Sequence, residues 1–389
     1  IEADHAAASF RHEFGRRTAG ATGEGQTTSV VHDGPLVTEI REQGLVDGLL
    51  GYAYDAWLRP AEIGSGDLRG SLRYDDDGRL SSVGPARIER DAAGRLRAIR
   101  SGVVEQTFAI DERGRTVAMQ VTVAGRPVWT TAYAHDAMGR IVRIEDSDEP
   151  EPSSFRYDTA GRLVEVAGPV PSRTDFDDNG NPTRFTRGER TSPTVIVEGD
   201  RLVRIGDREI GLGPRGRIER VGQEIAFAWD GLQRVRRVTV RSADGATRGT
   251  TVRRGAMGQL VAVEPSDGPA LRVVSGRSGR PELVVDEDGA PRSLFVGATR
   301  DRTPLVAMEA GRALFLASDH VGSVRLVIDC ATGEIVGRRR YDPWGITVHR
   351  EGDAVVPYGF AGGIDDPIAP VVHFPARTYV PHLQRWASR

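Results

Sequence analysis

The sequence predicts an all-β fold made of hairpins in series. Three observations point there. A Tyr-Asp-x-x-Gly-Arg signature recurs about every twenty residues, 47 glycines and 22 prolines mark frequent turns, and helical periodicity is nearly absent. The one helical candidate is AAASFRHEF, residues 6–14. At 389 residues the chain exceeds one ordinary compact core, so it holds either two or three domains or a repeat that spreads its core along one direction.

The repeat is read in chain order. It runs YDAWLRPAEI (54–63), YDDDGRLSSV (74–83), RDAAGRLRAI (90–99), IDERGRTVAM (110–119), HDAMGRIVRI (135–144), YDTAGRLVEV (157–166) and FDDNGNPTRF (176–185), then WDGLQRVRRV (229–238) and YDPWGITVHR (341–350). Asp55, Asp75, Asp91, Asp111, Asp136, Asp158 and Asp177 lie 20, 16, 20, 25, 22 and 19 residues apart. In each unit an apolar residue ends a strand, the Asp accepts amides just ahead of it, and a Gly three residues on supplies positive φ. The Asp–Gly pairs expected to form these turns are Asp75 with Gly78, Asp91 with Gly94, Asp111 with Gly114, Asp136 with Gly139, Asp158 with Gly161 and Asp342 with Gly345. Arg and an apolar, β-branched run then start the next strand. Two strands and two turns amount to about twenty residues, so each unit is one hairpin.

Between these units GPRGRIERV (213–221), RGAMGQLVAV (254–263) and SGRSGRPELVVDEDGAP (275–291) keep the glycine and the apolar run but lose the first Asp, and they read as diverged hairpins. The acidic EDSDEPEPSS (145–154) reads as a loop tip. A lone hairpin is marginal in water, so the units must pair edge to edge and bury a shared face. A long sheet of this kind must curl or close to protect its edges. About 25 to 30 strands are expected, enough at about 4.8 Å spacing for roughly one turn of a spiral.

Composition narrows the function. Fifty-two basic against 55 acidic residues give a formal charge of −3, so no global positive field advertises nucleic acid. Every basic residue is Arg, which reads as a GC-rich coding sequence, with Arg-based phosphate recognition as the alternative. Cys330 is the sole cysteine, so intramolecular disulfides and multi-cysteine metal sites are excluded. No segment is apolar over the length of a membrane span, and the start, on Ile1, reads as that of a fragment or processed product without a signal peptide.

The Tyr-Asp-x-x-Gly-Arg series resembles the YD repeat of Rhs proteins, Tc-toxin C subunits and teneurins. SDHVGSVRLVIDCATGEIVGRRRYDPWG (318–345) looks like the Rhs-associated core, and PYGFAGGIDDPIAPVVHFPARTYVPHLQRWASR (357–389) is similar to the segment that follows it, with Asp319, Gly322, Arg325 and Trp386 at motif positions. The resemblance implies a spiral, hollow β-shell closed by a C-terminal core that turns inward as a plug. It divides the chain into a lead-in (1–30), the shell (31–317) and the core (318–389). It also implies an aspartyl autoprotease in the core, with an essential Arg corresponding to Arg377 and a first catalytic Asp falling just after Arg389. Two carboxylates must share the work of activating water, so this chain by itself is expected not to self-cleave, leaving Arg377 as a buried cation that ties down the plug. Departures from the motif stand at IDDPIAPVVHF and at Gln384, where the family has Gly.

Other chemistry finds little support. The eight histidines show no metal-ligand spacing, and no cofactor or metal is expected. Asp365 and Asp366, adjacent on an extended chain, would face opposite ways and read as a turn. Ser323 lacks a nucleophile elbow, and SGRSGR (275–280) lacks the Lys and helix of a phosphate loop and reads as a hairpin turn. The resemblance therefore implies a container for a C-terminal, toxin-like passenger, secreted or displayed at the cell surface, whose partners are the remaining upstream shell and passenger of its own polypeptide. The alternative is a teneurin-like scaffold for adhesion or carbohydrate binding, with a cell-surface receptor or glycan as partner. A third reading, an enzyme acting on a polymer along the sheet, lacks clustered carboxylates at matching repeat positions.

Overall fold

The structure, a computed structural model, describes residues 9–13, 16–22, 25–188, 190–191, 195–198, 201–297, 303–352 and 356–388. Those residues form 39 strands and three 3₁₀ turns of three residues each. Strands that follow one another in sequence pair antiparallel, in long sheets and, at the C-terminal end, in a sheet of four. The fold is all-β, as the repeat implies. Strands outnumber the 25 to 30 expected because five strands precede the first repeat Asp and the C-terminal segment adds four short ones. The helical candidate is corrected: its described part, Ser9–Glu13, is a strand paired with Arg16–Ala21. Nine residues are too few to sustain a helix in water, and the neighbouring strand offers the backbone its partners.

The turn shows why the signature has the residues it has. In the unit starting at Asp111, the Asp111 amide donates to the Arg115 carbonyl (2.9 Å) and the Gly114 amide to the Asp111 carbonyl (3.0 Å). Asp111 Oδ1 accepts the amides of Arg113 (3.0 Å) and Arg115 (2.9 Å), and Oδ2 accepts Nε of Arg115 at 2.7 Å. The Arg115 amide, and then its guanidinium, hold the Asp111 carboxyl below its usual value. Gly114 closes the turn at φ 80°. Asp55, Asp91, Asp136, Asp158 and Asp230 repeat the pattern with the Arg four residues on. Asp75 keeps the backbone turn, but the Arg79 guanidinium turns to Asp77 instead.

Five of these Arg side chains also reach the next unit. Nη1 of Arg95, Arg115 and Arg162 donates to the carbonyls of Asp111, Asp136 and Asp177 at 3.3, 3.3 and 3.1 Å. The guanidinium groups of Arg59, Arg140 and Arg162 stack on Tyr74, Tyr157 and Phe176, the rings that precede the following Asp, at 4.3, 4.6 and 4.7 Å. Tyr74 and Tyr157 return hydroxyl bonds to the carbonyls of Pro60 and Ile141. A planar fork with several fixed donors can clamp and stack at once, which an ammonium cannot, so Arg at these positions has a structural reason.

The diverged units keep the backbone turn without the carboxylate. Gly213, Gly255 and Gly276 stand where Asp is usual, and their amides still donate to the carbonyls of Arg217, Gln259 and Arg280. A Cβ on these glycines would collide with the side chains of Glu219, Gln259 and Glu282 respectively, which fill the vacated space.

The chain divides into two compact units. One comprises residues up to Ile88 together with Phe227–Ser388, and the other Glu89–Ala226. In the second, strands such as Thr116–Val123 and Arg126–His135 alternate, burying Met119, Val121, Trp129, Thr131 and Tyr133 on one face. In the first, the strands Pro291–Val296, Arg312–Ser318 and Val324–Asp329 are buried almost throughout, consistent with their unbroken apolar runs LFV, LFLA and LVI. N-terminal strands of the same unit cover this sheet closely enough that Gly48 meets Val274 and Gly70 meets Val296 with no room for a Cβ. Val356, Tyr358 and Ile364 of the C-terminal segment join its core cluster with Val273, Val284, Phe295 and Leu314.

At two turns the closing glycine is replaced, by Leu58 (φ 62°) and Gln233 (φ 63°), side chains held in a conformation that clashes with the following carbonyl. Leu58→Gly is expected to stabilise the fold by about 1 kcal/mol, and Gly114→Ala to destabilise it by about as much, read from urea midpoints at unchanged m.

Candidate functional site

The residues singled out by the core motif converge on the C-terminal segment. Asp319 forms the repeat turn, accepting the amides of Val321 (3.0 Å) and Ser323 (2.9 Å), with Gly322 at φ 87°. That turn presents the buried Ser323 hydroxyl, which accepts the Ala361 amide at 3.1 Å. Two residues on, buried Arg325 donates through Nε to the Arg339 carbonyl, and buried Arg339 donates to the carbonyls of Tyr358 (2.6 Å) and Val356 (3.1 Å). These guanidinium groups donate to chain carbonyls, and Arg339 thereby fastens residues 356–358 to the sheet. Asp342 makes the last repeat turn, with Gly345 at φ 91° and no space for a Cβ beside the Phe360 ring.

Rings dominate the segment that follows. Phe360 stacks on Tyr379 (6.2 Å), Tyr379 meets Trp386 edge-on (5.5 Å), and Phe374 closes on the same indole (5.2 Å). Arg377 is not the buried cation expected from the sequence. It is exposed, its guanidinium lying 4.2 Å over Trp386, because a turn residue at the edge of the small sheet keeps its charge in water while stacking its flat face on the indole.

Asp365 and Asp366 take different partners, as adjacent extended residues must. Asp365 accepts the Tyr341 hydroxyl at 3.0 Å. Asp366 opens a turn by accepting the amides of Ile368 and Ala369, takes the Thr250 hydroxyl at 2.8 Å, and meets Nε2 of His373 at 2.9 Å. Nδ1 of His373 lies 3.1 Å from the Thr378 hydroxyl. Burial alone would raise the Asp366 carboxyl, yet the hydrogen bond and charge of His373 bring it below its usual value. This pair joins the small sheet to the strand Thr247–Arg254, whose Arg254 also donates to the Pro375 carbonyl at 2.8 Å. Among the described residues no three His, Cys, Asp or Glu side chains converge as metal ligands would.

Residues 17–389 match the Teneurin YD-shell family. The chain belongs to that family. It is 25% identical to human Teneurin-4 over 396 aligned positions, covering 96% of this chain and 14% of that protein, and 26% identical to Drosophila melanogaster Teneurin-m, covering 87% and 13%. Its fold is similar to that in the Photorhabdus luminescens Tc holotoxin pore, with a TM-score of 0.75 at 14% identity over 96% of this chain and 22% of that one. A TcdB2–TccC3 structure matches with a TM-score of 0.73 at 14% identity, over 99% and 27%. The chain thus spans about a seventh of the length of the teneurins it matches.

Within this YD-shell segment the repeat residues serve as turns and the core-motif residues as fasteners. Sequence reasoning did not find Asp366 with His373, seven residues apart across a turn with no motif, or Arg339, whose acceptors lie 17 and 19 residues on; the one signal was the adjacency of two aspartates ahead of a proline. Asp366→Ala leaves His373 and Thr250 without their buried acceptor and is expected to cost about 3–5 kcal/mol in a urea titration. Because the folded-state pKa of Asp366 is depressed, its contribution is fully present above the unfolded carboxylate value of about 3.9 and is lost as pH falls through the lower folded value. The variant's deficit relative to wild type should therefore shrink below about pH 4.

Proposed function

We propose that the chain is a structural wall segment of a YD-shell that encloses or presents a passenger carried on the same, longer polypeptide. The observation that carries this reading is the seating of residues 356–388. Arg339, Arg254 and the Asp366–His373 pair tie that segment to the sheet of its own unit, so a polypeptide continuing from it would start at a fixed point on the shell. The likeness to TccC3-containing structures supports enclosure of a toxin-like passenger by such a shell. A teneurin-like adhesive or carbohydrate-binding scaffold is the second reading, favoured by the higher sequence identity to teneurins than to the structural neighbours. Either role implies a secreted or surface-displayed parent.

On this reading the chain itself is not an enzyme. Arg377, stacked on Trp386, serves as a fastener of the small C-terminal sheet. Held alone in solution, the chain should remain intact at 42.2 kDa, and spontaneous fragments on mass spectrometry would contradict that. Limited proteolysis of the parent polypeptide tests enclosure. The segment following this chain should resist digestion until denaturant opens the shell, whereas digestion as fast as that of the isolated segment would reject a container and leave the scaffold.

A further inference from the structure

Two carboxyls stand between the N-terminal strands of the first compact unit and the sheet they cover. Glu42, on the strand Leu36–Gln43, has no exposed surface. From its own layer it accepts Nε2 of Gln26 at 2.7 Å and the Thr28 hydroxyl at 2.9 Å, and from the opposing sheet Nε2 of Gln259 at 2.7 Å. All three donors are neutral, and among the described residues no cation pairs with it. Glu282 mirrors this arrangement. It lies on the strand Pro281–Val285 of the sheet and accepts the hydroxyl of Tyr52, from the N-terminal strand Gly48–Tyr54, at 2.6 Å. Both contacts arise at diverged turns, where Gln259 and Glu282 fill the space left by the missing side chains of Gly255 and Gly276.

A carboxyl withdrawn from water holds its proton more tightly, because the charged form loses more hydration than neutral donors restore. Burial raises Glu42 above its usual value against its three donors, and lifts Glu282 to about 7 against the Tyr52 bond and the Arg277 charge. The other ionisable groups facing Glu282 are the guanidinium groups of Arg277 and Arg280 and the phenols of Tyr52, Tyr54, Tyr74 and Tyr358. Burial pushes all four phenols up, so they stay neutral while Glu282 titrates. The protonated forms keep their bonds: a proton on Glu42 can be donated to the Thr28 oxygen, and neutral Glu282 still accepts from Tyr52.

We propose that Glu42 and Glu282 form a pH-operated latch: uncharged, they are hydrogen-bonded stitches that hold the N-terminal strands on the opposing sheet, and charged, they draw water into that contact and loosen it. The latch operates whether or not the shell carries a passenger. Because both folded-state values are raised, the stabilisation from each is complete below the unfolded value of about 4.3 and is lost as pH rises through the folded value, about 7 for Glu282. Asp366 and the repeat aspartates, whose values are depressed, run the other way and lose their contribution only in stronger acid. The contact should therefore be tightest near about pH 5.

Urea unfolding of the whole chain between about pH 5 and pH 8, with hydrogen exchange of the peptides over Leu36–Gln43 and Gly48–Tyr54, tests the latch. The unfolding constant of the first unit should rise by up to about tenfold per pH unit for each carboxyl still protonated in the fold, and level off above about pH 7 once Glu282 is ionised. Protection of the two strands should fall over the same range. Glu42→Gln and Glu282→Gln keep the shape without the charge, so each should flatten the rise and be more stable than wild type at about pH 8 but not at about pH 5. Infrared spectroscopy of the wild type should show a protonated-carboxyl band at about pH 5.5 that fades by about pH 8. An unfolding constant that is flat or falling from about pH 5 to pH 7, Gln variants destabilised equally at both pH values, or absence of the protonated-carboxyl band would each overturn the proposal.

Discussion

The fold depends on one contact: an Asp carboxylate that closes a five-residue turn through two backbone amides and grips the Arg at its far end. Taken singly, such a half-exposed ion pair is worth little. Its weight comes from position. The guanidinium that fixes its own turn also donates to the next turn's first carbonyl (Arg95, Arg115), stacks on the ring that ends the intervening strand (Arg59, Arg140) or does both (Arg162), so register is passed from one hairpin to the next. Hairpins that would be marginal alone are thereby set side by side with their apolar faces aligned.

Loss of the carboxylate has a constructive side. At Gly255 the Arg position has become Gln259, and its amide crosses to Glu42 (2.7 Å) and Thr28 (2.6 Å) on N-terminal strands of the same unit. Glu42 is fully buried, and its carboxyl is raised by that burial although Gln259, Gln26 and Thr28 all donate to it. At Gly276 the freed space admits Glu282, which reaches Tyr52. Regular units spend their polar groups within the turn, whereas these diverged ones turn them across to the opposing layer. At these two units, though not at Gly213, where Glu219 pairs with Arg217 of the same turn, the drift marks where the wall is bonded to something other than its neighbouring hairpin.

Much of this was open to reading from the sequence because the turn is local. Every bond within it spans four residues or fewer, so Asp, Gly and Arg at fixed offsets suffice to foretell it, and the diverged hairpins could be followed by glycine alone. The strand at Ser9–Glu13 was misread since the three alanines that precede it in the sequence favour helix in isolation and only pairing decides otherwise. The buried polar groups were out of reach for a different reason. Glu42 with Gln259 and Tyr52 with Glu282 lie more than 200 residues apart in the chain, and no local pattern announces such a meeting. Arg377 fell between the two cases: its motif was visible, but whether the guanidinium goes in or stays out over Trp386 is settled by the small sheet's packing.

The claim that the Arg couples neighbouring units, and does not merely cap its own, is most directly tested by hydrogen exchange on Arg162→Lys. Arg162 grips Asp158, donates to the Asp177 carbonyl and stacks on Phe176, and a lysine can satisfy only the first. The account predicts that amide protection falls at Gly180 and Asn181 in the following turn while Gly161 in its own turn is largely kept. Unchanged exchange at Gly180 and Asn181 would contradict it, and the turns would then stand as independent caps on separately stable hairpins.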